Sequence, residues 1–147
     1  MIEIVNRQRK SGINTESFQI FAEIAVTKLP ETNDKDFTLG FVSDRKMREL
    51  NRLFRGKNKT TDVLSFPSDP DEFEKTSDSF ERENLGDIII SVEQAERQAK
   101  ENHLDLETEI KQLILHGILH LCGYDHEGDS GEMNALELKL RDKLKIN

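Results

Sequence analysis

The chain has 147 residues, 35% hydrophobic and 34% charged, with a formal net charge of −8. That suits one domain, 1–147, able to bury about 70% of its unfolded surface. No apolar run approaches the ~20 residues of a membrane span, the N-terminus lacks a signal-peptide pattern, and the single cysteine, Cys122, fits a reducing cytosol. The acidic balance argues at first against a nucleic-acid partner, but the charge is unevenly spread. Residues 45–59 hold seven cations and one anion, and residues 69–87 hold eight anions and two cations.

Ile2 to Val5 alternate apolar and polar, as a short strand does. Asn14 or Thr15 can cap a helix whose stripe is Phe18, Phe21, Ala22, Ala25 and Leu29, with Pro30 at its end. Phe37 to Val42 reads as a second strand. Ser43 then caps a helix to about Phe54, with Asp44 at the positive end of its dipole. Met47, Leu50 and Phe54 are expected inward, and the other face carries most of the basic cluster.

Arg55 to Asp62 is a polar, basic loop, and loops are where binding chemistry concentrates. Val63 to Phe66 is a strand ended by Pro67, at a sheet edge or a strand end. Ser68 to Asn84 has many acids and no period, and is predicted as a mobile loop. Gly86 to Ser91 is a β-branched run expected to be a buried strand. Ser91 and Gln94 form a capping box for a helix to about Asn102, and His103 is expected in a surface turn.

Asp105 caps the next helix. Ile110, Leu113, Ile114, Ile118 and Leu121 make that helix apolar on most sides, the mark of a central, buried helix. A last helix opens at Asp129, with Glu132 three residues on, and buries Met133, Leu136, Leu140 and Leu144.

The chemistry is concentrated in Leu113 to His126, which holds three of the four histidines. At 3.6 residues per turn, His116 and His120 share one helix face. Gly123 can turn the chain back, so that His126 swings over the first two. Three neutral imidazoles with a fourth position open are how a protein holds a catalytic zinc. A lone helix-face histidine is more often a hydrogen-bonded core residue; the triple with its glycine turn favours ligands. Cys122 is read as a small filler rather than a soft metal neighbour. The spacing is also that of metzincin proteases, but those place their glutamate general base directly after the first histidine, where this chain has Gly117.

The run His-Gly-Ile-Leu-His-Leu-Cys-Gly-Tyr-Asp-His resembles the signature of the bacterial YbeY family of rRNA maturation factors. Residues Asn51 to Pro67 and Leu85 to Ile90 agree with that family, as does the element order, so the likeness covers nearly the whole chain. Where the family often has aspartate and proline in the basic loop, this chain has Asn58 and Thr60. The element order by itself predicts an α+β domain with a small mixed four-stranded sheet and about five helices, the central one carrying the histidines, and this fits the family. The resemblance implies a zinc-dependent, single-strand-specific endoribonuclease that matures the 3′ end of small-subunit (16S) rRNA and serves ribosome quality control in the cytoplasm. It implies one Zn2+ held by His116, His120 and His126, an essential Arg55, and as partners single-stranded RNA, small-subunit rRNA and ribosomal particles.

Arg45, Arg48, Arg52, Lys57 and Lys59 are the candidate RNA-binding patch. Arg55 is expected to grip a phosphate with its bidentate fork. The nucleophile is left open between a metal hydroxide and the RNA's own 2′-OH. Asp125 is read as orienting a histidine or shaping the turn, with general base as the alternative. Two other readings compete: a protease-type metal hydrolase, and a non-catalytic ribosome assembly factor braced by a structural zinc.

Overall fold

The computed structural model describes residues 2–32, 35–68, 83–124 and 130–147. Their elements run β1 (Ile2–Asn6), α1 (Thr15–Val26), β2 (Lys35–Val42), α2 (Asp44–Arg55), β3 (Val63–Pro67), β4 (Glu83–Ser91), α3 (Val92–Glu101), α4 (Leu106–Leu121) and α5 (Glu132–Leu144), with a 3-10 turn at Pro30–Thr32. The strands form one sheet in the order β1-β2-β4-β3. β1, β2 and β4 are parallel, and β3 runs antiparallel to β4 at the edge. This is the expected α+β architecture with a mixed sheet.

Alternation along the strands gives the sheet two faces. Phe37, Leu39 and Phe41 of β2, with Ile88 and Ile90 of β4, join the main core of α1, α3, α4 and α5. Val42, Leu64, Phe66 and Ile89 belong to a smaller cluster with Met47 and Leu50 of α2. Helix α4 buries Ile110, Leu113, Ile114, Leu115, Gly117, Ile118, Leu119 and Leu121, as a central helix must. Each such aliphatic side chain contributes roughly 1.5–3 kcal/mol when taken from water.

Helix starts follow the capping residues. Asn14, rather than Thr15, accepts from Ser17 N–H, Ser43 accepts from Lys46 N–H, and Ser91 accepts from Gln94 N–H. Asp105 accepts from Thr108 N–H at 2.7 Å. Asp129, the expected cap of the last helix, lies outside the described residues. Gly131 occupies the cap position of α5, with a positive φ of 104° and no side-chain cap bond. His103 is exposed in a left-handed turn, φ 57°, as its reading required.

Two expectations need correction. Strand β4 begins at Glu83, earlier than Gly86, because backbone pairing extends beyond the β-branched run. Ser68 N–H donates to Leu85 O, and Pro67 pairs with Gly86. The register with β2 shifts between Asp36 and Thr38, which face Asn84 and Asp87, so β4 carries one extra residue. Gly86 lies in that bulge at φ 133°, where a β-carbon would stand 2.1 Å from Phe66 O.

The second correction is Phe54, expected inward and found 64% exposed. It shares a stripe with Met47, but α2 ends over β3, the edge strand. Below it the ring of Phe66 meets it, edge to face at 5.2 Å between centroids.

Candidate active site

Helix α4 presents both of its histidines on one partly exposed face. The Nε2 atoms of His116 and His120 are 3.0 Å apart, and the rings meet edge-on with centroids 4.6 Å apart. His116 Nδ1–H donates to Glu137 Oε1 at 2.9 Å. An ionised carboxylate only accepts, so the neutral ring carries its proton on Nδ1 and turns the Nε2 lone pair toward His120.

Two ring nitrogens this close need a proton or a cation between them. Two metal–nitrogen bonds of about 2.05 Å in a tetrahedron span ~3.3 Å between nitrogens, close to the observed separation. The donor chemistry and the carboxylate behind His116 therefore fit a divalent transition-metal ion. His126 and Asp125 lie outside the described residues.

Glu137 is a site residue that the sequence places on the apolar stripe of the last helix without indicating its partner. It shares the buried face of α5 with Met133 and Leu140, and its residue is 5% exposed. Arg141, one turn further along, holds Nη2 3.8 Å from Glu137 Oε1. Its Nε is buried and, among the described residues, has no hydrogen-bond partner. Arg141 and His116 line a polar cleft of about 490 Å³ that also includes Asp62, Gln98, Glu109 and Gln112. Glu109, in the first turn of α4, is buried and accepts from Gln98 and Asn102.

Arg55 ends α2 on the opposite sheet face from α4. Its Nη2 donates to the Ser65 carbonyl at 3.2 Å. Asp62 O and Ser68 N–H both face β4, so the alternation of β3 turns the Ser65 carbonyl out at the free edge. Ser65 pairs with Ile88, and Ile88 is the residue against which Gly117 rests, between the two histidines. Arg55 makes no hydrogen bond to either histidine, but its anchor lies one strand from the helix turn that carries them.

The basic loop is tied down. Gly56 takes the left-handed cap of α2, with its N–H on Arg52 O and Lys57 N–H on Asn51 O. Buried Asn51 donates to Lys59 O. Asn58 accepts from Arg48 Nε at 3.1 Å, and Thr60 donates to Asp44 at 3.0 Å, so both departures from the family pattern hold the loop in place. Arg45, Arg48, Arg52, Lys57 and Lys59 are all exposed. Behind the loop, burial alone would raise the Asp44 carboxyl. Hydrogen bonds from Ser91, Arg97 and Thr60, with the charge of Arg97, outweigh that and bring it below the usual aspartate range. Cys122 is half-buried, and burial with the charge of Glu31 pushes its thiol up to about 11, which suits a filler.

Fold and site together define a small α+β domain built on one central, histidine-bearing helix. The family described as Endoribonuclease YbeY matches residues 3–145, and the chain belongs to that family. It is 42% identical to the endoribonuclease YbeY of Koribacter versatilis over 97% of this chain and 86% of that one. It is 38% identical to that of Clostridioides difficile, over 96% and 94% of the two chains. A solution structure of the Thermotoga maritima protein TM1509 superposes with a TM-score of 0.65 at 31% identity, covering 98% of this chain and 89% of that one. Among the described residues no helix is long and apolar enough to cross a membrane.

Proposed function

We propose that residues 1–147 act as one zinc-dependent endoribonuclease domain that cuts single-stranded RNA and matures the 3′ end of small-subunit rRNA, with a part in ribosome quality control. The observation that carries this reading is the pair of Nε2 atoms 3.0 Å apart, backed by the carboxylate of Glu137. His116, His120 and His126 would hold one Zn2+. Bound there, the ion would supply Lewis acidity, making water a usable nucleophile near neutral pH and drawing charge from a phosphoryl oxygen.

The chain's own residues do the rest. Glu137 fixes the tautomer and tilt of His116. Arg55 is already held at the sheet edge by Ser65 O and keeps further N–H donors for a phosphate, where it stabilises charge that grows in the transition state. Arg45, Arg48, Arg52, Lys57 and Lys59 neutralise neighbouring phosphates of the strand. Phosphoryl transfer rests on positioning and electrostatics, so Gly117 in place of a glutamate base is tolerable here and would not be for a peptide bond. Ribosomal particles as partners and a cytoplasmic site follow from that substrate and agree with a lone thiol.

The test is to incubate metal-loaded protein with single-stranded RNA and with casein, with and without chelator. RNA cleavage lost on chelation and restored by zinc is expected. Cleavage of casein alone would reassign the chain to peptide hydrolysis. Normal rRNA processing by folded His120→Ala and Arg55→Ala variants would leave it a non-catalytic assembly factor.

A further inference from the structure

We propose that Phe54 is a stacking platform for one base of the bound RNA strand, set beside the arginine that grips the strand's phosphate; this rests on the RNA-cleavage reading above. Phe54 is 64% exposed at the end of a helix whose other surface residues are mostly charged. An aromatic ring left in water is a cost that packing has not removed. The ring is not loose, because Phe66 meets it edge-to-face at 5.2 Å and leaves the rest of its surface open.

Consecutive residues on a helix do not face each other, yet here two of them converge on one strand. Arg55 binds the Ser65 carbonyl and Phe54 meets the Phe66 ring, so guanidinium and ring land one residue apart along β3. Base and phosphate of one nucleotide call for that pairing of a π-face and a cation fork. Proteins that hold single strands without reading sequence combine cationic tracks with exposed aromatic rings in this way.

A protein partner is the competing occupant, since neighbouring Leu53 is also 59% exposed. The surroundings favour RNA. Arg52, Arg55 and Lys57, all within three residues of Phe54 in the chain, are exposed, whereas cores of protein–protein contacts are depleted of charge.

The chain contains no tryptophan, so Phe54→Trp introduces one indole that can be excited apart from the single tyrosine, Tyr124. With the full chain and a single-stranded oligonucleotide, its emission should be quenched on binding, and affinity should equal or exceed wild type. Phe54→Leu keeps an apolar side chain but no π-face, and should weaken binding about 5- to 150-fold. Its salt dependence should be unchanged, because no phosphate contact is lost. One abasic position in the oligonucleotide should reproduce that loss in wild type and add nothing further in Phe54→Leu.

Wild-type RNA affinity for Phe54→Leu, or no quenching in Phe54→Trp, would overturn the platform. Unchanged RNA affinity in Phe54→Leu with reduced association with ribosomal particles would overturn it in favour of a protein contact. Phe54-dependent binding without any RNA cleavage by wild type would uphold the platform and sink the nuclease reading instead.

Discussion

Gly117 lies so close to Ile88 that a β-carbon on the glycine would stand 2.7 Å from Ile88 Cγ2 and 3.1 Å from its Cδ1. Ile88 is fully buried in β4, so its side chain has nowhere to go. The position that a metzincin gives to its base is therefore, in this fold, a point of close approach between helix α4 and the sheet. Gly117→Ala should destabilise the protein by about 1–3 kcal/mol despite alanine's better helix propensity, because overpacking outweighs the ~1 kcal/mol propensity gain. Thermal unfolding checks this: a Tm several degrees below wild type is expected, and a raised Tm would show that the helix can lift off Ile88 freely.

Glu137 bonds the imidazole nitrogen facing away from His120. Removing such a partner of a metal-ligating histidine typically costs 10–100-fold in metal affinity. Glu137→Ala should show a loss in that range in a competition titration of zinc against a chromophoric chelator, with Glu137→Gln affected less because its amide oxygen still accepts. Stability should also fall by about 1–3 kcal/mol in the alanine variant, since the His116 Nδ1–H loses its buried acceptor. Unchanged zinc affinity in both variants would remove Glu137 from the site.

Arg55 is expected to act on the rate more than on binding. Arg55→Ala should lower kcat for RNA cleavage by roughly 10²–10³-fold, the cost of losing one preorganised donor to the transition state. Arg55→Lys should recover little, because an ammonium lacks the planar fork. Single-turnover kinetics on an end-labelled strand separates the two effects. A loss confined to affinity would return Arg55 to the general cationic patch.

Asp44 ties three elements together through Thr60, Ser91 and Arg97. Its carboxyl titrates below the ordinary 3.8 in the folded protein. A lowered folded value means that the ionised form stabilises the fold. That contribution is complete above the unfolded value and fades as pH falls through the folded one. The stability lost in Asp44→Asn should thus be largest near neutrality and shrink as pH drops below 3.8. Urea denaturation at a series of pH values measures it, and a difference that stays constant with pH would show that Asp44 acts only by shape.

The caps at Ser43, Ser91 and Asp105, a first cap narrowed to Asn14 or Thr15, the apolar stripes and the four-residue spacing of His116 and His120 were legible in the sequence. Each depends on interactions within one turn of helix or one pleat of strand, and the chain encodes those locally. Glu137 was half-legible as an acid on a buried stripe, but nothing in the order of residues says which ring it meets. That meeting joins residues 21 apart through the packing of α5 on α4. Phe54 had the periodicity of a core residue and became a surface ring because β3 is the last strand beneath it. Likewise, the space denied at Gly117 belongs to Ile88 on another element. Periodicity tells a side chain which way to point; only the assembled sheet decides what, if anything, is there to meet it.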